Sequence, residues 1–270
     1  MTSNLSTTQP ITWCPGCPNF MILESVKKAL ASFKKEKLCM VTDIGCHGKI
    51  FDYINISGIY GLHGRALPTA MGITLGNPNL NVLAFMGDGA VYSEGIAHFI
   101  HAGRFNPNLT LIVHDNQSFS LTTGQPTPTT QQGYKSHANP FGEFNQPFNP
   151  IKLALASGTS FIARCNAKDM NHTAEIIEKA IKHRGFSFVE IIQDCLIFNL
   201  DINDKDKMMY KVKDNKDKKA AENLADEWDY NSKKGRIPLG VIYQKNKPTL
   251  TDKWPQLKEL EKKGVGWGRK

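Results

Sequence analysis

The sequence predicts an α/β fold in three layers, in which helices cover both faces of a mostly parallel sheet. Two observations carry this prediction. Short apolar segments typical of buried strands alternate along the chain with segments of helical periodicity. Hydrophobic residues also make up 40% of the 270 residues, which is enough for a sizeable core. We expect one domain over residues 1–200 and a charged arm and tail over residues 201–270, packed on the same domain or on a partner.

Each predicted element is assigned from its pattern, in chain order. The first helix has apolar residues at helical spacing, and the first strand is a short apolar run that ends before a glycine-rich loop. The same alternation then repeats to the end of the domain. The predicted helices are Asn19–Lys35, Ala66–Leu75, Ser93–Phe105, Ile151–Ala156 and Thr173–Arg184, and the predicted strands are Leu38–Thr42, Asn81–Met86, Leu109–His114, Phe161–Cys165, Phe188–Gln193 and Ile237–Tyr243.

Two stretches break the alternation. Thr122–Pro150 is rich in Thr, Gln, Pro, Gly and Asn, and a loop of this length is usually functional or mobile. Asn203–Lys234 is strongly charged and weakly periodic, so we expect a solvated helical arm there. The Lys-rich end of the chain has the composition of a surface tail.

Composition excludes several classes of protein. No apolar run is long enough for a transmembrane helix, and Met1–Pro10 lacks the basic flank and apolar stretch of a secretory signal, so we expect a cytoplasmic protein without a membrane role. The net charge of +8 indicates either solubility or attraction to an acidic partner. Nucleic-acid binding ranks last, because the excess Lys after Ile202 is interleaved with Asp and Glu.

Two motifs that follow neighbouring predicted strands suggest a metal site. Gly87-Asp88-Gly89 follows one strand, and Asn116 follows the next, 28 positions after Asp88. Because parallel strands end at the same edge of a sheet, both side chains should emerge together. Mg²⁺ prefers oxygen ligands completed by substrate phosphates. Asp88, the Asn116 amide and a backbone carbonyl near Ser118 would supply the protein's share.

Four of the six cysteines form a second candidate site. Cys14 and Cys17 make a C-x-x-C pair in a turn-rich loop, a pattern that commonly binds zinc or an iron–sulfur cluster. Cys46 and Cys195 each follow a predicted strand, so the sheet order could bring all four thiolates together. The other two, Cys39 and Cys165, fall within predicted strands and are expected to be structural.

With these motifs, residues 12–199 resemble the β subunits of the 2-oxoacid:ferredoxin oxidoreductases, the 2-oxoglutarate and pyruvate ferredoxin oxidoreductase family. The resemblance rests on Gly-Asp-Gly followed by Asn, on Trp-Cys-x-x-Cys, on Gly-Cys after the first strand, and on the late cysteine. Further matches are Gly61-Leu62-His63-Gly64-Arg65, His98 and His101, and Thr122-Thr123-Gly124-Gln125. Two motifs depart from the family pattern: Gln193-Asp194-Cys195 stands where many relatives have Ser-Pro-Cys, and Thr122-Thr123-Gly124-Gln125 stands where the family has Thr-Gly-Gly-Gln.

The resemblance implies a thiamine-diphosphate-binding fold of the pyrophosphate-type domain, with three cofactors. These are thiamine diphosphate, Mg²⁺ at Asp88, Asn116 and Ser118, and one 4Fe-4S cluster at Cys14, Cys17, Cys46 and Cys195. Lys49 and Arg65 are the candidate substrate-carboxylate ligands. The implied cofactor-binding residues are Ile44, Gly45, Cys46, His47, His63, Gly64, Arg65, Gly87, Asp88, Gly89, Asn116, Ser118, Leu121 and Thr122. His98 and His101 are expected to be core or interface histidines.

The implied reaction is the coenzyme A-dependent oxidative decarboxylation of a 2-oxoacid, 2-oxoglutarate or pyruvate, to acyl-CoA and CO₂, with electrons passing through the cluster to ferredoxin. The chain is short for two thiamine-binding domains. We therefore expect an α subunit, or an α and a γ subunit, to carry the pyrimidine-binding domain and the activating Glu. Two alternatives remain open, namely a non-oxidative thiamine-diphosphate decarboxylase or synthase-type subunit and a zinc-stabilised non-catalytic subunit.

Overall fold

An eight-stranded sheet forms the centre of the molecule in the computed structural model. The structure describes residues 5–231 and 235–264, except for the side chains of residues 201–204. The strands are β1 (Leu38–Thr42), β2 (Ser57–Tyr60), β3 (Asn81–Gly87), β4 (Leu109–Asp115), β5 (Phe161–Asn166), β6 (Phe186–Ile192), β7 (Met209–Lys211) and β8 (Ile237–Gln244). Their order across the sheet is β2-β1-β3-β4-β6-β5-β8-β7. The first six run parallel, and β8 pairs antiparallel to β5 and parallel to β7.

Helices lie on both faces of this sheet. They are α1 (Asn19–Leu30), α2 (Ala66–Gly76), α3 (Asp88–Tyr92), α4 (Ile96–Phe105), α5 (Pro150–Ser157), α6 (Met170–Lys182), α7 (Lys218–Asp226), α8 (Leu250–Lys253) and α9 (Pro255–Lys263). Short 3₁₀ helices cover Lys35–Lys37, His47–Asp52 and Asp201–Met208. Alternate residues of each central strand enter different cores: Leu83 and Phe85 pack with α1 and α6, whereas Ala84 and Met86 pack with α2, α4 and α5. The predicted three-layer α/β fold is confirmed.

Several boundaries differ from the sequence-based prediction. Helix α1 ends at Leu30 rather than Lys35, because the chain turns at residues 31–33 and enters a 3₁₀ helix. The predicted helix Ser93–Phe105 begins only at Ile96, since Ser93 has a non-helical backbone that separates α3 from α4. Residues 249–264 form more regular structure than expected: Thr249 and Asp252 form a capping box that starts α8, and α9 follows. Residues 265–270 lie outside the described residues.

Strands β2 and β7 were not predicted. Every residue of β2 is exposed at the edge of the sheet, so its sequence lacks the apolar pattern of a buried strand. The predicted strand Ile237–Tyr243 is confirmed as β8, and the charged stretch before it contains a 3₁₀ helix, β7 and α7 rather than one continuous helical arm. Residues 232–234, at its end, lie outside the described residues.

Among the described residues, no helix combines the length and the apolar character that a membrane span requires.

A buried ion pair joins β5 and β6. Arg164 Nε lies 2.6 Å from Glu190 Oε2, and neither side chain is exposed. The Tyr230 hydroxyl donates to Glu190 Oε1, and the Arg164 Nη2 group donates to Tyr230 Oη at 2.8 Å. Trp228 stacks on Tyr230 with ring centroids 3.9 Å apart. This network fixes the segment after α7 against the sheet.

Replacing Glu190 with Gln should lower the free energy of unfolding by about 3–5 kcal/mol, because it leaves the Arg164 charge buried without a counter-charge. Urea denaturation followed by circular dichroism measures the change. The matched control is Asp226→Asn, which breaks the exposed Lys152–Asp226 pair and should cost less than about 1 kcal/mol. Equal stability of the two variants would contradict the structural role of the network.

Candidate active site

The carboxyl ends of β1, β3, β4 and β6 meet at one edge of the sheet, as parallel neighbours must. The segments that follow these strands form a pocket, here called the strand-end pocket. Its polar and glycine lining residues are Gly45, Cys46, His47, His63, Gly87, Asp88, Gly89, His114, Asn116, Ser118, Ser120, Thr122 and Gln193, and its apolar ones are Ile44, Ala90, Phe119 and Leu121.

A buried pair connects the loop after β1 to its neighbours. Asp43 is wholly buried; its Oδ1 atom hydrogen-bonds to His47 Nε2, and its Oδ2 atom accepts from the Gly64 N–H at 3.0 Å. The His47 ring lies against Gly87, so that a β-carbon at Gly87 would sit 2.9 Å from His47 Nδ1. Only glycine therefore allows this contact. Sequence reasoning missed the role of Asp43, although an Asp directly after a strand is a usable signal.

Asp88 and Asp115 lie on either side of one hydroxyl group. Thr129 Oγ1 is 2.9 Å from Asp88 Oδ2 and 3.0 Å from Asp115 Oδ1. Burial raises the pKa of Asp88 to about 6, although hydrogen bonds from Thr127 and Thr129 lower it. Burial and the nearby Asp88 charge raise the pKa of Asp115 well above its ordinary value. Such a pair of carboxyls favours a bound cation.

The loop after β4 presents the Asn116 amide to the same pocket. Asn116 Oδ1 accepts from the Ser118 N–H at 3.0 Å, and Asn116 Nδ2 donates to Ser120 Oγ at 3.0 Å. Gln117 has a φ of 55°, a left-handed conformation that turns the loop sharply. Ser118 Oγ is buried and has no hydrogen-bond partner among the described residues. An unpaired polar atom beside a carboxylate and an amide oxygen fits a site for Mg²⁺ and a phosphate group.

Phe119, from the same loop, packs closely against Gly89. A β-carbon at Gly89 would lie 2.2 Å from Phe119 Cε1, so the second glycine of the Gly-Asp-Gly motif is required by packing within the protein. Leu121 and Ile44 are about 40% exposed at the mouth of the pocket. The mouth is therefore partly apolar.

The three residues of the His63-Gly64-Arg65 loop differ in their contact with the strand-end pocket. His63 lines the pocket, and its Nδ1 atom lies 3.0 Å from Glu94 Oε2. Gly64 adopts a φ of 69° and donates its N–H to Asp43. Arg65 does not line the pocket; its guanidinium donates to the Glu94 carbonyl at 2.8 Å. In this structure the side chain predicted to bind a substrate carboxylate is thus directed at the backbone.

All four predicted ligand cysteines line a second pocket, here called the cysteine pocket. It is bounded by Cys14, Cys17, Cys46 and Cys195, together with Thr12, Trp13, Asn19, Lys49, Asn116, Ser120, Gln193, Asp194 and Leu196–Phe198. Burial raises the pKa of Cys17 to about 11, and the nearby Cys46, Cys14 and Cys195 add to the rise. Cys39 and Cys165 lie buried in β1 and β5, as predicted for structural cysteines.

Hydrogen bonds hold two of these cysteines in place. Trp13 Nε1 donates to the Cys46 carbonyl at 2.6 Å, and the Phe198 N–H donates to Cys195 Sγ at 3.4 Å. Lys49 lies beside Cys46 and donates to the Thr12 carbonyl at 3.2 Å. The Trp of the Trp-Cys-x-x-Cys motif thus has a direct role in linking the first pair to the third cysteine.

Within residues 5–231 and 235–264, no three His, Cys, Asp or Glu side chains are arranged to hold a single metal ion. A four-iron cluster binds each thiolate to a different iron and therefore needs wider spacing. A Mg²⁺ site built on Asp88, Asn116 and a backbone carbonyl contains only one residue of these types.

The two pockets share a wall. Cys46, Asn116, Ser120 and Gln193 line both of them, and Gln193 Oε1 is buried without a partner among the described residues. The Asn199 side chain donates to the carbonyl of Asn116 at 3.0 Å, which ties the segment after Cys195 to the loop after β4. His98 and His101, on α4, line neither pocket.

Comparison with known proteins places this architecture in a family. Residues 43–191, more than half of the chain, match the family described as thiamine pyrophosphate enzyme, C-terminal TPP binding domain. Thiamine pyrophosphate is the same compound as thiamine diphosphate. The match includes the loops after β1, β3 and β4.

Individual relatives give a narrower result. The chain is 41% identical over 248 residues to the 2-oxoacid:ferredoxin oxidoreductase subunit beta of Saccharolobus solfataricus, covering 86% of this chain and 81% of that protein. It is 42% identical over 187 residues to the 2-oxoglutarate synthase subunit KorB of Archaeoglobus fulgidus, covering 69% of this chain and 70% of that protein.

A solved structure agrees with these relatives. The 2-oxoglutarate:ferredoxin oxidoreductase from Magnetococcus marinus, with 2-oxoglutarate, coenzyme A and succinyl-CoA bound, superposes with a TM-score of 0.90 at 30% identity, covering 99% of this chain and 92% of that chain. The chain therefore belongs to the thiamine-pyrophosphate-binding β subunits of the 2-oxoacid:ferredoxin oxidoreductase family.

Proposed function

We propose that this chain is the β subunit of an enzyme that decarboxylates a 2-oxoacid oxidatively with bound thiamine diphosphate, and that it passes the electrons through its own 4Fe-4S cluster to ferredoxin. The observation that carries the proposal is the shared wall between the strand-end pocket and the cysteine pocket. A cofactor in one and a cluster in the other would be separated by a few side chains.

The strand-end pocket supplies the groups for the diphosphate end of the cofactor. The Asp88 carboxylate, the Asn116 amide oxygen and a backbone carbonyl near Ser118 would hold Mg²⁺, and His63 and the N–H groups of the glycine loops would contact phosphate oxygens. Bound thiamine diphosphate supplies the carbanion chemistry of decarboxylation. The remaining predicted residues are Ile44, Gly45, Cys46, His47, Gly64, Arg65, Gly87, Gly89, Leu121 and Thr122, and all of them except Gly64 and Arg65 line the pocket.

The cysteine pocket supplies four thiolates and one sulfur-directed N–H group. The family resemblance implies that the cluster ligands are Cys14, Cys17, Cys46 and Cys195. Their common pocket supports that assignment. A cluster is bound by thiolates, so its binding would displace the protons of these thiols. Single-electron transfer to ferredoxin would follow from the cluster's chemistry.

A partner subunit is expected to complete the active site. Among the described residues, no Glu lines the strand-end pocket, whereas thiamine activation needs a carboxylate at the aminopyrimidine. The partly apolar mouth, with Ile44 and Leu121, and the 72% exposed Leu62 next to His63 in sequence provide a surface for such a subunit. We propose that an α subunit, or an α and a γ subunit, covers this mouth.

The 2-oxoacid is proposed to be 2-oxoglutarate or pyruvate, with coenzyme A as acyl acceptor. The printed names of the relatives support the 2-oxoacid class, and the Magnetococcus marinus structure contains 2-oxoglutarate, coenzyme A and succinyl-CoA. Lys49 lies at the cysteine pocket and would need to leave the Thr12 carbonyl to bind a substrate carboxylate. Arg65 would need to leave the Glu94 carbonyl to take part.

Asp88→Asn should weaken the binding of Mg²⁺-thiamine diphosphate by about 100-fold or more, because it removes the only ionised ligand proposed for the metal. Thr129→Val, which removes the hydroxyl between Asp88 and Asp115, should weaken the same binding by about 10–100-fold. Isothermal titration calorimetry on the co-expressed complex measures both. His101→Ala, on α4 outside the pocket, is the control and should bind as the parent does. Unchanged affinity in Asp88→Asn would contradict the proposed metal site.

Anaerobically purified protein should contain about four iron and four sulfide per chain. Changing Cys14, Cys17, Cys46 or Cys195 to Ala should each lower the iron content strongly, whereas Cys39→Ala should retain it because that side chain is buried in β1. Elemental analysis and absorption spectra report the result. Zinc in place of iron would instead support a non-catalytic zinc-stabilised subunit, and protein that binds thiamine diphosphate without iron would support a non-oxidative enzyme.

The purified chain alone should show no dye reduction with any 2-oxoacid, and the complex with its partner subunit should reduce the dye in the presence of coenzyme A. A panel of 2-oxoglutarate, pyruvate and branched 2-oxoacids identifies the substrate. Turnover by the chain without a partner would refute the shared active site.

A further inference from the structure

One acidic side chain at the cysteine pocket has no role in the function proposed so far. Asp194 stands between Gln193 and Cys195. It lines the cysteine pocket and is only 3% exposed. A carboxylate is costly to bury, so its retention beside a ligand cysteine requires an explanation.

Lys168 holds this carboxylate in place. Its Nζ atom lies 2.8 Å from Asp194 Oδ2 and 2.5 Å from Asp206 Oδ2. The loop that carries Lys168 is fixed to the sheet, because the Ala167 N–H donates to the Ile192 carbonyl at 3.0 Å and Asn166 Nδ2 donates to Asp206 Oδ1 at 3.2 Å. These contacts therefore restrain the Asp194 carboxylate at the wall of the cysteine pocket.

Among the described side chains of this group, negative charge exceeds positive charge. Asp194 and Asp206 contribute two carboxylates and Lys168 contributes one ammonium, and the Asp194 carboxylate is the most buried of the three. The ion pair with Lys168 favours the ionised form of the Asp194 carboxylate. Although burial lowers the pKa of Lys168, its hydrogen bonds to the two carboxylates raise it above the ordinary value. Buried charges of this kind are poorly screened by salt.

We propose that Asp194, held by Lys168, lowers the reduction potential of the iron–sulfur cluster by placing a negative charge in the wall of the cysteine pocket, one residue before the Cys195 ligand. The inference rests on the proposed function, since it requires a cluster in the cysteine pocket. Reduction adds an electron to the cluster, and a nearby fixed carboxylate disfavours the reduced form. The Lys168 ammonium partly offsets this effect. Loss of the Asp194 charge must therefore raise the reduction potential, and loss of the Lys168 charge must lower it.

A purely structural role leads to a different expectation. If the Lys168 ion pairs only anchor the 3₁₀ helix Asp201–Met208 to the sheet, removing Asp194 or Lys168 breaks the same contact. Both variants would then lose stability or iron together, and any change in potential would have the same sign. The sign of the two shifts thus separates the electrostatic role from the structural one.

The test is a redox titration of the anaerobic complex, carried out at pH 8 and followed by electron paramagnetic resonance, with iron content and melting temperature measured on every sample. Asp194→Asn should raise the midpoint potential by about 59 mV, which is a tenfold change in the ratio of reduced to oxidised cluster. Lys168→Met should lower it. Asp194→Glu, which keeps the charge, should stay near the parent value. Lys152→Met, from an exposed pair on α5, is the control and should leave the potential unchanged.

The outcomes separate this inference from the function it rests on. Absence of any cluster in the parent complex defeats the proposed function itself. A cluster that is present at full occupancy but has the same potential in Asp194→Asn defeats only the role of Asp194. Shifts of the same sign in Asp194→Asn and Lys168→Met also overturn it. If Asp194→Asn loses its iron, the Lys168→Met shift decides alone, because a rise or no change contradicts the proposal.

Discussion

Parallel pairing of β1, β3, β4 and β6 is the constraint on which the candidate site depends. It brings four chain segments, far apart in sequence, to one edge of the sheet, and both pockets are built from those segments together with the N-terminal loop. The buried Asp43 carboxylate then fixes the loop after β1 against the loop after β2, because it binds the His47 ring and the Gly64 N–H at once. Without that fixed edge, neither the Gly-Asp-Gly motif nor the separate cysteines would form a site.

The structure also couples the two pockets mechanically. Asn199 joins the segment after Cys195 to the loop that carries Asn116, and Tyr134, from the long loop, donates to the Phe198 carbonyl at 2.6 Å. The stretch Thr122–Pro150 therefore supports both pockets: it provides Thr129 to the two carboxyls on one side and Tyr134 to the cysteine segment on the other. A thiamine cofactor and an electron acceptor placed in these pockets would share one rigid frame, which suits electron transfer without large rearrangement.

Sequence alone predicted the elements whose signal is local. Six buried strands, the sheet edge and the grouping of the four cysteines followed from apolar runs and from motifs at strand ends. The missed features depend on tertiary contacts. Strand β2 is exposed and carries no buried pattern, and Thr129 lies in an aperiodic Thr-rich loop, so nothing nearby in sequence marks it as a partner of Asp88. Arg65 remains a predicted ligand, and in this structure its guanidinium donates to the Glu94 carbonyl.

The central claim is that a magnesium–diphosphate site and an iron–sulfur site adjoin within this chain. The most direct measurement replaces Mg²⁺ with paramagnetic Mn²⁺ in the complex loaded with thiamine diphosphate and records the spin relaxation of the reduced cluster by pulsed electron paramagnetic resonance. The account predicts markedly faster relaxation with Mn²⁺ than with Mg²⁺, and loss of that effect in Asp88→Asn. A reduced cluster whose relaxation is the same with either metal would show that the two centres are far apart and would contradict the account.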